Sequence, residues 1–93
     1  MGTNHARKGR ARRGRALARV ADGQLAVREV IRDGYGALET CPVYKVLEAA
    51  PTVGPETVRE VLSRAHIWPF VPLQDLTQLE RTAILDKLPV RVK

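Results

Sequence analysis

Val43-Tyr-Lys-Val-Leu-Glu-Ala-Ala-Pro-Thr-Val-Gly-Pro-Glu-Thr-Val-Arg-Glu-Val-Leu-Ser-Arg-Ala65 has the pattern of two helices joined by a tight turn. Val43, Val46, Leu47 and Ala50 fall at helical spacing, and Pro51 stops that helix because a proline ring blocks the preceding residue from continuing it. Gly54-Pro55-Glu56 then opens another helix. Proline's missing N–H costs nothing in a first turn, and a carboxylate there faces the positive end of the helix dipole. Val58, Val61, Leu62 and Ala65 mark the inward face of this second helix.

Working outward, the same punctuation recurs. Toward the N-terminus, the helix that ends at Ala50 begins at Leu38 or at Val43, with Pro42 at or near its first turn and Gly34-Tyr35-Gly36 as the break before it. Asp22 is placed to cap a helix over residues 24–32, in which Leu25, Ala26, Val27, Val30 and Ile31 form an apolar side ending at Asp33-Gly34. Toward the C-terminus, a turn over residues 66–72 holds Pro69 and Pro72. Thr77 and Glu80 then spell a capping box for a last helix, with Leu79, Ala83, Ile84 and Leu88 inward and Pro89 as its stop. Only Val90-Arg-Val-Lys93 alternates with a strand period, and it is too short to matter. The class expected is all-α, a basic N-terminal helix followed by a small four-helix domain. The divisions are an arm at 1–21, a domain at 22–89 and a tail at 90–93.

Charge separates the arm from the rest. Arg7, Lys8, Arg10, Arg12, Arg13, Arg15 and Arg19 give residues 1–20 seven cations and no acid. The other residues carry nine Lys/Arg against ten Asp/Glu, a net −1, so the arm's +7 is the source of the whole excess of +6. All but one of its cations are arginine, whose planar fork pairs with phosphate bidentately and keeps its charge near neutrality. A polyanion is the partner this pattern suits. A solvated tail serving solubility is the alternative that composition leaves open. Within the arm, residues 10–21 are Ala- and Arg-rich and helix-forming, but Leu17 and Val20 are its only large apolar anchors. Two anchors predict a loosely docked helix, ordered when phosphate neutralises the Arg–Arg repulsion.

Other function classes find little support. Cys41 is the single cysteine, and with His5 and His66 it lacks metal-ligand spacing. No Ser/His/Asp set, paired carboxylates or nucleotide-binding glycine pattern appears, so no catalytic residue, cofactor or metal is expected. No stretch reaches the roughly 20 apolar residues of a membrane span. The lone cysteine suits a reducing compartment, so a cytoplasmic location is expected; an Arg-rich, acid-free start is also the composition of an organellar transit peptide.

The connection Pro51-Thr52-Val53-Gly54 offers chemistry of its own. A glycine at a helix start leaves backbone N–H groups bare and lets an anion approach closely. A Gly-Pro pair at a helix start is more often plain turn chemistry.

The segment Leu47-Glu-Ala-Ala-Pro-Thr-Val-Gly54, with Glu60-Val-Leu, Ile67, Pro69 and Arg81-Thr-Ala-Ile-Leu-Asp-Lys-Leu88, resembles the mycobacterial and streptomycete integration host factor family. The likeness covers roughly residues 10–88. It implies a helix-two-turns-helix domain, also found in a ribosomal protein, behind a long basic helix, in a nucleoid-associated protein that binds duplex DNA. It implies further that main-chain amides of Thr52, Val53 and Gly54 contact the DNA backbone at the first turn. Where the family has lysine after that glycine, this chain has Pro55, which removes a cation and a donor. Where the family's second turn carries an arginine run, this chain reads Val71-Pro-Leu-Gln-Asp-Leu-Thr77. The DNA-contacting set expected is therefore Arg7, Lys8, Arg10, Arg12, Arg13, Arg15, Arg19, Thr52, Val53, Gly54 and Arg59, with the weight on the arm. Trp68 and Phe70 are expected to pack on the small core, with an apolar surface for a protein partner as the alternative. The protein is expected to be a monomer in solution. The other functions weighed are an RNA- or ribosome-associated basic protein and a protein-interaction module of mobile-element or phage type.

Overall fold

A computed structural model describes the backbone of residues 2–93 and the side chains of residues 11–93. Its helices are α1 (Gly2–Ala21), α2 (Val27–Asp33), α3 (Val43–Ala49), α4 (Pro55–Arg64) and α5 (Gln78–Lys87), with single 3-10 turns at Gly36–Leu38 and Leu73–Asp75. No strand occurs among the described residues; the nearest approach is an isolated antiparallel bridge between Pro42 and Pro72. The all-α expectation holds.

The helix boundaries follow local chemistry. α3 starts behind Pro42 rather than at Leu38, because Leu38 belongs to the separate 3-10 turn. α4 opens behind Gly54 with Pro55 in its first turn. α5 carries the full capping box: Glu80 N–H donates to Thr77 Oγ1 at 3.1 Å and Thr77 N–H to Glu80 Oε1 at 2.8 Å. α4 ends on a left-handed His66 (φ 57°), with the Ile67 amide reaching back to the Leu62 carbonyl at 2.9 Å. That is a helix-terminating turn built without glycine.

Two expectations about helix position need correction. Asp22 does not cap α2, which starts only at Val27 behind Ala26. Instead Asp22-Gly23 terminates α1: Gly23 sits at φ 78°, its amide donates to Val20 O at 3.1 Å, and Gln24 N–H donates to Arg19 O at 2.9 Å. Those bonds hold Gln24 and Leu25 in the turn and delay the next helix. Leu79, expected inward, is 84% exposed, because the core side of α5 is set by Ile84 and the residue after the helix, Leu88.

The core is aliphatic. Val27, Val30 and Ile31 of α2, Val43, Val46 and Leu47 of α3, Val58, Val61 and Leu62 of α4, and Ile84 of α5 are buried together with Leu38, Leu73 and Leu76. α1 docks more firmly than two anchors predict, since Ala16 and Val20 are both buried and Leu17 packs against the same core. A small Ala16 lets the helix axis come close, which large-residue counting overlooks. The tail also matters, contrary to expectation: Val92 is 2% exposed, and it belongs to the core.

Two arginines hold the far end together. Arg28 of α2 donates through Nε to Val92 O at 2.6 Å and through its Nη atoms to Leu85 O, Leu88 O and Pro89 O at 3.1, 3.3 and 2.9 Å. These carbonyls at the end of α5 and in the tail have no later helical turn to bond, so a cation there answers both their lone pairs and the helix dipole. Arg81 does the same for Leu76 O, Ile31 O and Leu73 O at 3.2, 2.7 and 2.9 Å. Burial pushes the Cys41 thiol up, so this side chain behaves as a small apolar group.

Candidate nucleic-acid interface

The last three turns of α1 set the arm's cations around the helix. Arg12, Arg15 and Arg19 lie three and four residues apart, the spacing of one helix face. With Ala16 as floor and Tyr35, Gly36 and Ala37 as the opposite wall, they line an open groove of about 480 Å³. No carboxylate appears among the described residues lining it. Arg19 Nη1 donates to the Tyr35 hydroxyl at 2.9 Å, which fixes its guanidinium over the groove and leaves the hydroxyl hydrogen for another acceptor. Arg13 points elsewhere, its Nη2 donating to Thr40 Oγ1 at 2.7 Å. Arg12 and Arg15 form no ion pair among the described residues; the pairs found, Arg32–Asp33 and Glu60–Arg64, are both exposed and lie on other helices. The side chains of Arg7, Lys8 and Arg10 lie outside the described residues.

The remaining expected contacts are not gathered into this groove. Thr52 is exposed and lines a separate groove of about 270 Å³ between the end of α1 and the tail. Val53 has a buried side chain, and its amide donates to Ala50 O at 3.2 Å within the turn. Gly54 is exposed at φ −82°, so it is not there for a left-handed backbone, and a Cβ added to it would meet nothing within 4 Å. The fold itself therefore makes no demand for glycine at this position. Arg59 belongs to a third groove, of about 250 Å³, whose lining also includes Glu48, Tyr44, Pro55 and Phe70.

Trp68 and Phe70 do not pack on the core, being 65% and 52% exposed. The backbone explains it. Val43 N–H donates to Val71 O at 2.8 Å, Tyr44 N–H to Pro69 O at 3.1 Å, and Leu73 N–H to Cys41 O at 3.0 Å. This stitching sends Ile67 and Leu73 inward, and the two aromatic rings turn out. There Phe70 stands edge-on between Tyr44 and Trp68, with ring centroids 5.3 and 5.2 Å away. Sequence reading also missed the hydroxyl partners of the arm, Thr40 and Tyr35, which lie 27 and 16 residues from their arginines with no local signal linking them. Among the described residues no grouping of His, Cys, Asp and Glu could hold a metal, and no helix is long and apolar enough to cross a membrane.

No protein-family model matches the chain, and no curated protein matches it in sequence. Among solved structures it is similar to that of sIHF bound to an 8-bp palindromic DNA, with a TM-score of 0.78 and 20% identity, covering 90% of this chain and 97% of that one. The resemblance carried by Leu47 to Gly54 thus extends to the whole architecture, and the chain has the helical fold of the actinobacterial integration host factor.

Proposed function

We propose that this protein is an architectural, nucleoid-associated protein that binds double-stranded DNA through its phosphate backbone with low sequence specificity. The observation that carries the reading is the acid-free groove of Arg12, Arg15 and Arg19 against Tyr35. Three guanidinium groups without carboxylate partners on one helix face suit a polyanion, and of them only Arg19 has a partner within the described residues, the Tyr35 hydroxyl. Arg7, Lys8 and Arg10 continue the contact along the arm, and Arg13 supports it at the edge. At the first turn the exposed backbone of Thr52 and Gly54 receives a phosphate, with Gly54 kept small for close approach rather than for its φ. Phosphate contacts position a protein without reading bases, which is why low specificity is expected. The likeness to sIHF, solved on DNA, supports duplex DNA over structured RNA.

A salt titration on random-sequence duplex tests this. Neutralising roughly four to seven phosphates gives a slope of log K on log salt of about −4 to −6. A slope shallower than about −2, or equal competition by structured RNA, rejects the reading. The exposed Trp68 and Phe70 favour a protein partner as the second reading. A partner held there stays bound when Arg12, Arg15 and Arg19 are replaced by Gln in the full chain, and duplex DNA does not.

A further inference from the structure

We propose that the C-terminal tail is a built-in second phosphate contact for the same duplex, with Arg91 and Lys93 as its cations. The proposal rests on the DNA reading above and adds residues outside the arm.

The tail is held as firmly as a core element. Val92 is 2% exposed, its amide donates to Pro89 O at 3.0 Å, and its carbonyl takes the 2.6 Å bond from Arg28 Nε. The Arg28 amide also reaches Lys93 O at 3.4 Å. Val92 therefore works as a plug, and its two neighbours, Arg91 and Lys93, are exposed on either side of it. Ordering long cationic side chains on a loose tail costs conformational entropy that phosphate binding must overcome, and here the backbone part of that cost is already met by folding.

Their placement gives the contact its direction. Arg91 and Lys93 line the groove of about 270 Å³ together with Pro51 and Thr52, and no aspartate or glutamate side chain appears among its described lining residues. Val20 and Gly23, at the end of α1, line it too. Arg19 lines the arginine groove and the next residue, Val20, lines this one, so α1 contributes to both. A duplex backbone lying along the arginines of α1 continues past the helix end onto the tail cations. They supply next to Thr52 the positive charge that Pro55 does not. The groove at α4 contrasts with both, since Glu48 stands in it beside Arg59.

The test uses the full chain and random-sequence duplex. The double variant R91Q/K93Q keeps the Val92 plug and removes both tail charges. R64Q/K87Q removes the same net charge from exposed positions that line neither basic groove. R12Q/R15Q/R19Q removes the arm groove. The tail variant is expected to bind roughly tenfold more weakly and to flatten the salt slope by about one to two units, with unchanged circular dichroism and melting temperature. R64Q/K87Q is expected to change the slope by less than about half a unit. If R91Q/K93Q behaves like R64Q/K87Q while the arm variant still loses binding, the tail contact is wrong and the DNA reading stands. If the arm variant binds as tightly as the unchanged protein, the DNA reading fails and the tail proposal with it.

Discussion

Arginine does opposite things in two regions of this molecule. On α1, Arg12 and Arg15 project from exposed positions without carboxylate or carbonyl partners among the described residues, and Arg19 is steadied by one neutral hydroxyl. On α2 and α5, Arg28 and Arg81 are half-buried, and their guanidinium groups donate to backbone carbonyls from four segments of the chain. A guanidinium has five N–H donors in a fixed fork. Where tertiary structure supplies acceptors for them, the residue is a pin between helices. Where it supplies none, the donors wait for an external acceptor. Net charge alone does not tell the two apart, and neither does helix position.

Arg28 is the pin whose loss should cost most. Arg28→Ala leaves the carbonyls of Leu85, Leu88, Pro89 and Val92 short of a donor and frees the tail, and a loss of about 2–4 kcal/mol in denaturant unfolding is expected. Arg28→Lys recovers only part of it, because a point charge does not reproduce a planar fork. Should Arg28→Ala leave stability intact and reduce only DNA binding, the division between pins and contacts is wrong.

The arm variant R12Q/R15Q/R19Q is the mirror image. It should leave the unfolding midpoint within about 0.5 kcal/mol of the unchanged protein, as expected for exposed positions. Its salt slope should flatten by about two to three units, at 0.9 per phosphate lost. Unfolding that tracks the loss of binding would show that these arginines hold α1 down instead.

The smallest effect sharpens the intermediate case, Arg19. Tyr35→Phe removes the 2.9 Å bond and lets the guanidinium swing, with an expected weakening of DNA binding of roughly two- to threefold and no change in salt slope, since the charge remains. A change of a full unit in slope would mean that Tyr35 itself contacts the duplex.

The helical class, the α3–α4 connection through Gly54 and Pro55, the capping box at Thr77 and Glu80, and the confinement of excess charge to the arm are all legible in local sequence. These are decided by caps, proline and composition, whose physics acts within four or five residues and is visible in any window of that width. The tertiary structure alone decided which arginines turn inward: Arg28 finds its acceptors 57 to 64 residues away, and no local pattern marks it off from Arg12. It also placed Val92 in the core, and it left Leu79 in solvent although helical spacing had put that residue inward. Trp68 and Phe70 turned outward for the same kind of reason, because backbone bonds from α3 to the loop set the rotation of that segment. A side chain's burial depends on where the whole surface closes, and that closure is settled by packing between elements far apart in the chain.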